Sequence, residues 1–140
     1  MIEITNRKGI GWKGTDYITV KQLDKFHYEV TEHRQEKEIG ENGEAIVREI
    51  RTKVPIEHVI NILTIVGRYT EPATYRQIAT DLIEHYRLDC DIEAFNGGKN
   101  RARYYFPHYY YPLKVAEFYN KVQYYGRGHV RLLNNDLKGI

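Results

Sequence analysis

The chain contains no serine, and only one cysteine, one methionine and one tryptophan among 140 residues. A lone Cys90 closes no internal disulfide and supplies no zinc knuckle, so stability must come from the core, and a reducing, cytoplasmic compartment is the expectation. Long apolar runs are missing too. The longest, Val59 to Val66, is broken by Asn61 and Thr64 and falls short of a membrane span, so no membrane partner is expected. The first residues, Met1-Ile2-Glu3-Ile4-Thr5, lack the charged-then-apolar order of a secretory leader. Few labile side chains beside many Glu, Lys and Arg is the pattern of thermophilic proteins, in which ion-pair networks cost less to desolvate.

What is present is charge of uneven distribution and an abundance of tyrosine. The formal net charge of +2 conceals three regions. Residues 1–54 are neutral, 55–95 carry −4, and 96–140 hold eight Lys and Arg against two carboxylates, a balance of +6. A basic terminal third on a nearly neutral chain is the footprint of a nucleic-acid face. The competing arrangement is a basic segment docked on the acidic middle of its own chain. Within the basic third, Asn96-Gly97-Gly98-Lys99-Asn100-Arg101-Ala102-Arg103 runs into the block Tyr104 to Tyr111, and Tyr124-Tyr125-Gly126-Arg127-Gly128-His129-Val130-Arg131 follows later. Cations among aromatic rings suit a polyanion that also offers flat bases. The simpler role for those tyrosines is half-buried packing with wet hydroxyls.

Along the chain, Tyr17 to Val20 is rich in β-branched and aromatic residues. Phe26, Tyr28 and Val30 then alternate with His27, Glu29 and Thr31, which predicts a strand with one apolar face. Ile46 to Arg51 reads as the returning strand, with Asn42-Gly43 near a turn, and the charges from Glu32 to Glu49 read as the solvated side of a sheet. Residues 1–54 are thus expected to form a β-meander extension. Pro55 suits a first helical position, and Ile56, Val59, Ile60, Leu63 and Val66 predict an amphipathic helix ending near Gly67. Thr74-Tyr75-Arg76-Gln77 has capping-box spacing, with Ile78, Ala79, Leu82, Ile83 and Tyr86 as the buried stripe. A loop is expected from Leu88 to about Ala102. The competing reading, a helix through 91–102, meets two glycines that each disfavour a helix by about 1 kcal/mol. A third helix is expected from Tyr111-Pro112, packing Leu113, Ala116, Phe118 or Tyr119, and Val122 inward and stopping before Gly126; 135–140 reads as a tail.

Catalytic constellations are thin. His85, Asp89, Cys90 and Asp91 are zinc-binding types, but no second pair completes a tetrahedral set. Tyr109, Tyr110 and Tyr111 beside His108 could be cast as strand-transfer nucleophiles, although aromatic packing accounts for them more simply. No cofactor and no metal is expected.

The order of helix, link, capped helix carrying Tyr75-Arg76-Gln77-Ile78-Ala79, third helix and Gly-containing basic hairpin resembles the winged helix-turn-helix family over residues 55–133. The resemblance implies an α+β chain in which the meander precedes a winged-helix domain, residues 55–134, of three helices and a β-hairpin wing. It implies a third helix in the major groove and a wing on the flanking backbone. Arg76 then lies near a helix N-terminus, Lys114 and Lys121 on the recognition helix, and Arg127, His129 and Arg131 on the wing. With Lys99, Asn100, Arg101 and Arg103 these form the expected nucleic-acid contacts. One departure is the long stretch, Arg87 to Tyr111, between second and third helices. The expectation is a non-enzymatic protein of double-stranded DNA, a transcriptional regulator, with a homodimer contact through the meander as an option. A protein-interaction module and a metal-dependent nuclease are the alternatives, and RNA stays open.

Overall fold

β-branched and aromatic residues at alternating positions build the N-terminal sheet. The structure, a computed structural model, describes residues 3–5, 15–39, 45–125 and 128–134, with side chains within 17–33, 49–125 and 128–134. Strands β1 (Glu3–Thr5), β2 (Thr15–Gln22), β3 (His27–Ile39) and β4 (Ala45–Pro55) pair antiparallel in chain order. The chain is α+β, and its first sheet has the consecutive pairing of a meander. The turn expected at Asn42-Gly43 lies outside the described residues.

Register places Val20 opposite Val30, Ile18 opposite Glu32, and Tyr28 opposite Val54. The apolar members of this set are buried and form the inner face. Phe26 does not join them. It is 70% exposed in the turn before β3, and its carbonyl takes the Ile56 amide at 2.8 Å. Glu32 reverses the expectation of a solvated charge. Two residues beyond Val30, it shares the inner face and is fully buried.

Helix α1 (Ile56–Val66) follows Pro55 directly. It buries Val59, Ile62, Leu63, Ile65 and Val66 and leaves Ile60 exposed, so the apolar stripe is broader than the expected one and turned away from Ile60. The cause is its setting: α1 meets strands of both sheets and several of the other helical segments, and spacing alone does not show which of several apolar faces is covered. Strand β5 (Ala73–Thr74) leads into α2 (Tyr75–Tyr86), where the capping box is complete. The Thr74 hydroxyl accepts the Gln77 amide at 3.1 Å, and the Gln77 side chain accepts the Thr74 amide at 2.9 Å. Ile78, Ala79 and Leu82 are buried.

The expected loop from Leu88 to Ala102 is largely helical. Asp91 caps α3 (Ile92–Asn96) by accepting the Ala94 amide at 2.7 Å. Gly97 breaks that helix in extended conformation, and Gly98, at φ +54°, opens the helical turn α4 (Gly98–Asn100). The glycines therefore act as a joint between helical pieces, which satisfies their poor helix propensity without ending the run. A π-helix, Arg101–Tyr110, continues into α5 (Tyr111–Phe118), and the Tyr111 amide donates to the carbonyl of Phe106, five residues back. Pro107 within it has no N–H and would crowd the carbonyl four residues earlier; the wider π register accommodates both defects. The third helix thus ends at Phe118 rather than running through Val122.

Val122 instead opens β6 (Val122–Tyr125), which pairs with β7 (His129–Leu132), and β7 pairs on its other edge with β5. Helix α5 packs against α1, β6 and the first sheet, so both sheets and the helices share one core. Replacing Thr74 by Ala should lower unfolding free energy by about 1 kcal/mol in urea denaturation through loss of the cap, whereas Thr70→Ala, on an exposed link, should leave it within about 0.5 kcal/mol.

Candidate nucleic-acid interface

The aromatic block is first of all packing. Tyr109 and Tyr110 are buried, and Tyr105 stacks on Tyr109 with centroids 5.1 Å apart at 18°. Phe95 of α3 and Tyr75 of α2 meet Tyr109 edge-on, at 6.5 and 5.3 Å. Such edge-to-face and offset pairs fix the π-helix against its neighbours. Tyr104, Tyr105 and Phe106 remain half-buried at the outer margin.

Over that margin lies a cation. The Arg101 guanidinium is exposed, 5.3 Å from the ring centre of Phe106 and 5.6 Å from that of Tyr105. Lys99 and Arg103 flank it, both exposed and without an ion-pair partner among the described residues, and Asn100 is half-buried between. Tyr105 in turn meets Tyr75 edge-on at 6.0 Å, and a Cβ on Gly128 would lie 3.3 Å from the Cβ of Tyr75. The Tyr75–Tyr105 contact therefore joins the cationic edge to the tip of the β6–β7 hairpin. Gly128 takes φ +72° there, which only a glycine adopts without strain. Arg127, next to it, lies outside the described residues. On β7, His129 is half-buried and Arg131 exposed, opposite Tyr125 and Gln123, on the side away from buried Val130.

Other expected contacts are placed elsewhere. Arg76 is exposed but bonded to Glu93 at 3.1 Å, a pair open enough to solvent to be weak. Lys114 and Lys121 are corrections. Lys114 is 3% exposed because α5 is enclosed by α1, β6 and the first sheet rather than offered to a groove, and Lys121 lies beyond the end of that helix, 7% exposed, where its carbonyl takes the Leu133 amide. The Lys114 ammonium lies 3.5 Å from Glu117 and about equally far from the ring centres of Tyr110 and Tyr124, at 5.4 and 5.5 Å. Burial lowers its pKa, while Glu117 and then Glu32 act to restore the charge. Glu32 itself accepts the Tyr111 hydroxyl at 2.7 Å. This internal cluster went unread in the sequence; its only signal was the alternation that sets Glu32 beside Val30.

The side chains considered for nucleophilic and metal chemistry have these surroundings. Burial drives the Tyr109 and Tyr110 hydroxyls well above the ordinary tyrosine value and Tyr105 up to about 12, so these groups stay protonated. The Tyr111 hydroxyl is committed to Glu32. Asp91 caps α3, the Cys90 thiol is pushed up by burial and by Asp91 and Asp89, and His85 meets the Tyr86 ring edge-on. Among the described residues no three His, Cys, Asp or Glu side chains gather to hold a metal ion. No helix among them is long and apolar enough to cross a membrane. Compared with protein-family models, with curated proteins and with solved structures, the chain matches none.

Two outcomes follow from this geometry. Lys114→Met should cost about 3 kcal/mol in urea denaturation by stranding the Glu117 carboxylate, and Lys114→Met with Glu117→Gln should recover more than half of that loss; additive losses would contradict the pairing. His108, stacked on His58 with centroids 5.0 Å apart, has its pKa held below the ordinary 6.5 by burial and then by His58. Its contribution is intact above that value. As pH falls through it the unfolded chain takes the proton first, so the melting temperature should drop, and His108→Gln should flatten that part of the curve.

Proposed function

We propose that the chain is a winged-helix protein that binds duplex DNA along its phosphate backbone and regulates transcription without catalysis. The reading is supported by the order of elements: α1, the short strand β5, capped α2, a helical third segment, and a hairpin whose strand β7 lies between β6 and β5. In winged-helix proteins the third helix usually enters the major groove. Here the core-facing half of that segment, α5, carries no exposed cation, and the accessible charge belongs to its N-terminal half.

The observation that supports the reading is the exposed charge of Lys99, Arg101 and Arg103 around the start of the π-helix, of which Arg101 is joined through Tyr105 and Tyr75 to the hairpin tip. Guanidinium and ammonium groups in this setting neutralise phosphates and release counterions, which favours any duplex over one sequence. Arg101 is the anchor, since the aromatic rings beneath it limit its freedom before binding.

In a gel-retardation series, affinity for a short duplex should fall steeply with salt. The double variant Lys99→Ala, Arg103→Ala should reduce the slope of log affinity against log salt by about 2, similarly for unrelated sequences. Affinity indifferent to salt, or a loss confined to one base position, would contradict the assignment.

A further inference from the structure

A cavity of about 400 Å³ opens between the end of β4, the first turn of α1 and the π-helix. Pro55, Phe106, Pro107 and Tyr111 give it apolar walls, with the Phe106 and Tyr111 rings 5.7 Å apart at 38°. His58 Nδ1–H donates to the Pro107 carbonyl at 3.1 Å, which pins α1 to the π-helix and fixes the walls to one another.

Strand β4 lends the cavity four consecutive residues, Thr52 to Pro55. Successive side chains of a strand point to opposite faces, so part of this wall is the backbone edge itself. Thr52 and Val54 stand opposite Val30 and Tyr28 on the inner face, whereas Lys53 stands opposite Glu29 on the outer one. β4 ends the order of the first sheet, and among the described residues no strand pairs with its far side. The hydrogen-bond phase shows which groups that side carries. The Ile56 amide donates to the Phe26 carbonyl at 2.8 Å, and the register continues unshifted through Tyr28–Val54 to Val30–Thr52. Bonded pairs recur at every second residue of an antiparallel ladder. The amides and carbonyls of Val54 and Thr52 therefore face β3, and those of Lys53 point away from it, to the cavity side. A free backbone donor and acceptor beside an apolar slot are the two parts of a site for an added strand.

Charge on the outer face favours one kind of strand. Lys21, Glu29 and Lys53 form a row across β2, β3 and β4 that alternates in sign, with Lys21 3.6 Å from Glu29. A carboxylate opposite Lys53 continues that alternation. We propose that the edge of β4 binds an extended peptide of alternating apolar and acidic residues. Its acidic residue pairs with the Lys53 backbone and keeps its carboxylate on the outer face. The apolar residue next to it turns inward, into the slot between Pro55, Phe106, Pro107 and Tyr111. The site stands apart from the nucleic-acid reading: Lys99, Arg101 and Arg103 are not among its wall residues, and its test uses no DNA.

The test is fluorescence anisotropy of a labelled, terminally blocked pentapeptide, Thr-Phe-Glu-Phe-Thr, titrated with the full chain. It should bind saturably at one-to-one stoichiometry. Methylating the amide nitrogen of its glutamate removes the pairing donor and should weaken binding about tenfold. Lysine in place of that glutamate should weaken it about threefold, and Lys53→Glu should reverse that preference. Ala102 is exposed on the cavity wall, and Ala102→Trp, with an unchanged circular dichroism spectrum, should abolish uptake by filling the slot. Lys53→Glu, a surface change, serves alone if the tryptophan variant does not fold. Lack of saturable uptake, full affinity of the methylated peptide, or an unaltered charge preference in Lys53→Glu would overturn the assignment. So would sedimentation velocity showing a dimer of the chain that excludes the peptide, since a second copy would then be the occupant.

Discussion

The enclosure of α5 governs the rest of the molecule. This helix lies against α1, against β6 and against the first sheet, and buries Pro112, Leu113, Lys114, Val115, Ala116 and Phe118. A helix covered so fully has no free face, and the charge of its one cation is balanced from within. Glu117 one turn on, Glu32 from the sheet, and the rings of Tyr110 and Tyr124 do this, while Lys114 Nζ itself makes no hydrogen bond among the described residues. Buried ion pairs of this kind add little net stability over apolar replacements, but losing one member is costly. The Glu32–Tyr111 hydrogen bond ties the first sheet to the start of the same helix. Sheet and helices consequently share a core, and the surface left for partners lies outside α5.

That surface is the other half of the same helical run. Between the Gly97-Gly98 joint and α5, the chain turns from exposed cations to buried rings within one π-helix. The aromatic block thus serves two ends. Tyr109 and Tyr110 fill the core, while Tyr105 and Phe106 form the bed on which Arg101 rests and through which the edge reaches the hairpin tip. Pro107 links the two: it sits inside the π-helix, its carbonyl receives His58, and its ring lines the cavity beside β4.

Local features were legible in the residues, and long-range ones were not. Thr74 and Gln77 announce a capped helix because both partners lie within one turn, and the meander announces itself through alternation at Tyr28 and Val30. The same alternation pointed to Glu32, but a carboxylate among many others reads as solvated until Tyr111, 79 residues away, is seen to meet it. A charge balance counts Lys114 and Lys121 with the accessible cations because it is blind to burial. Spacing places Ile60 inward and passes over Ile62, since it cannot show that α1 is covered on more than one side. The helical character of 92–110 was obscured because glycine and proline speak against regular α-helix, whereas the chain uses a break and a π register instead.

The central claim is that, among the described residues of the basic third, Lys114 and Lys121 are enclosed while Lys99, Arg101 and Arg103 around the start of the π-helix, and Arg131 on β7, are exposed. Brief labelling of the native protein with an amine-specific acylating reagent, resolved by peptide mass analysis, tests it most directly. The account predicts rapid modification of Lys99 and protection of Lys114 and Lys121, with protection of Lys99 added by duplex DNA. Lys114 reacting as fast as Lys99 would contradict it.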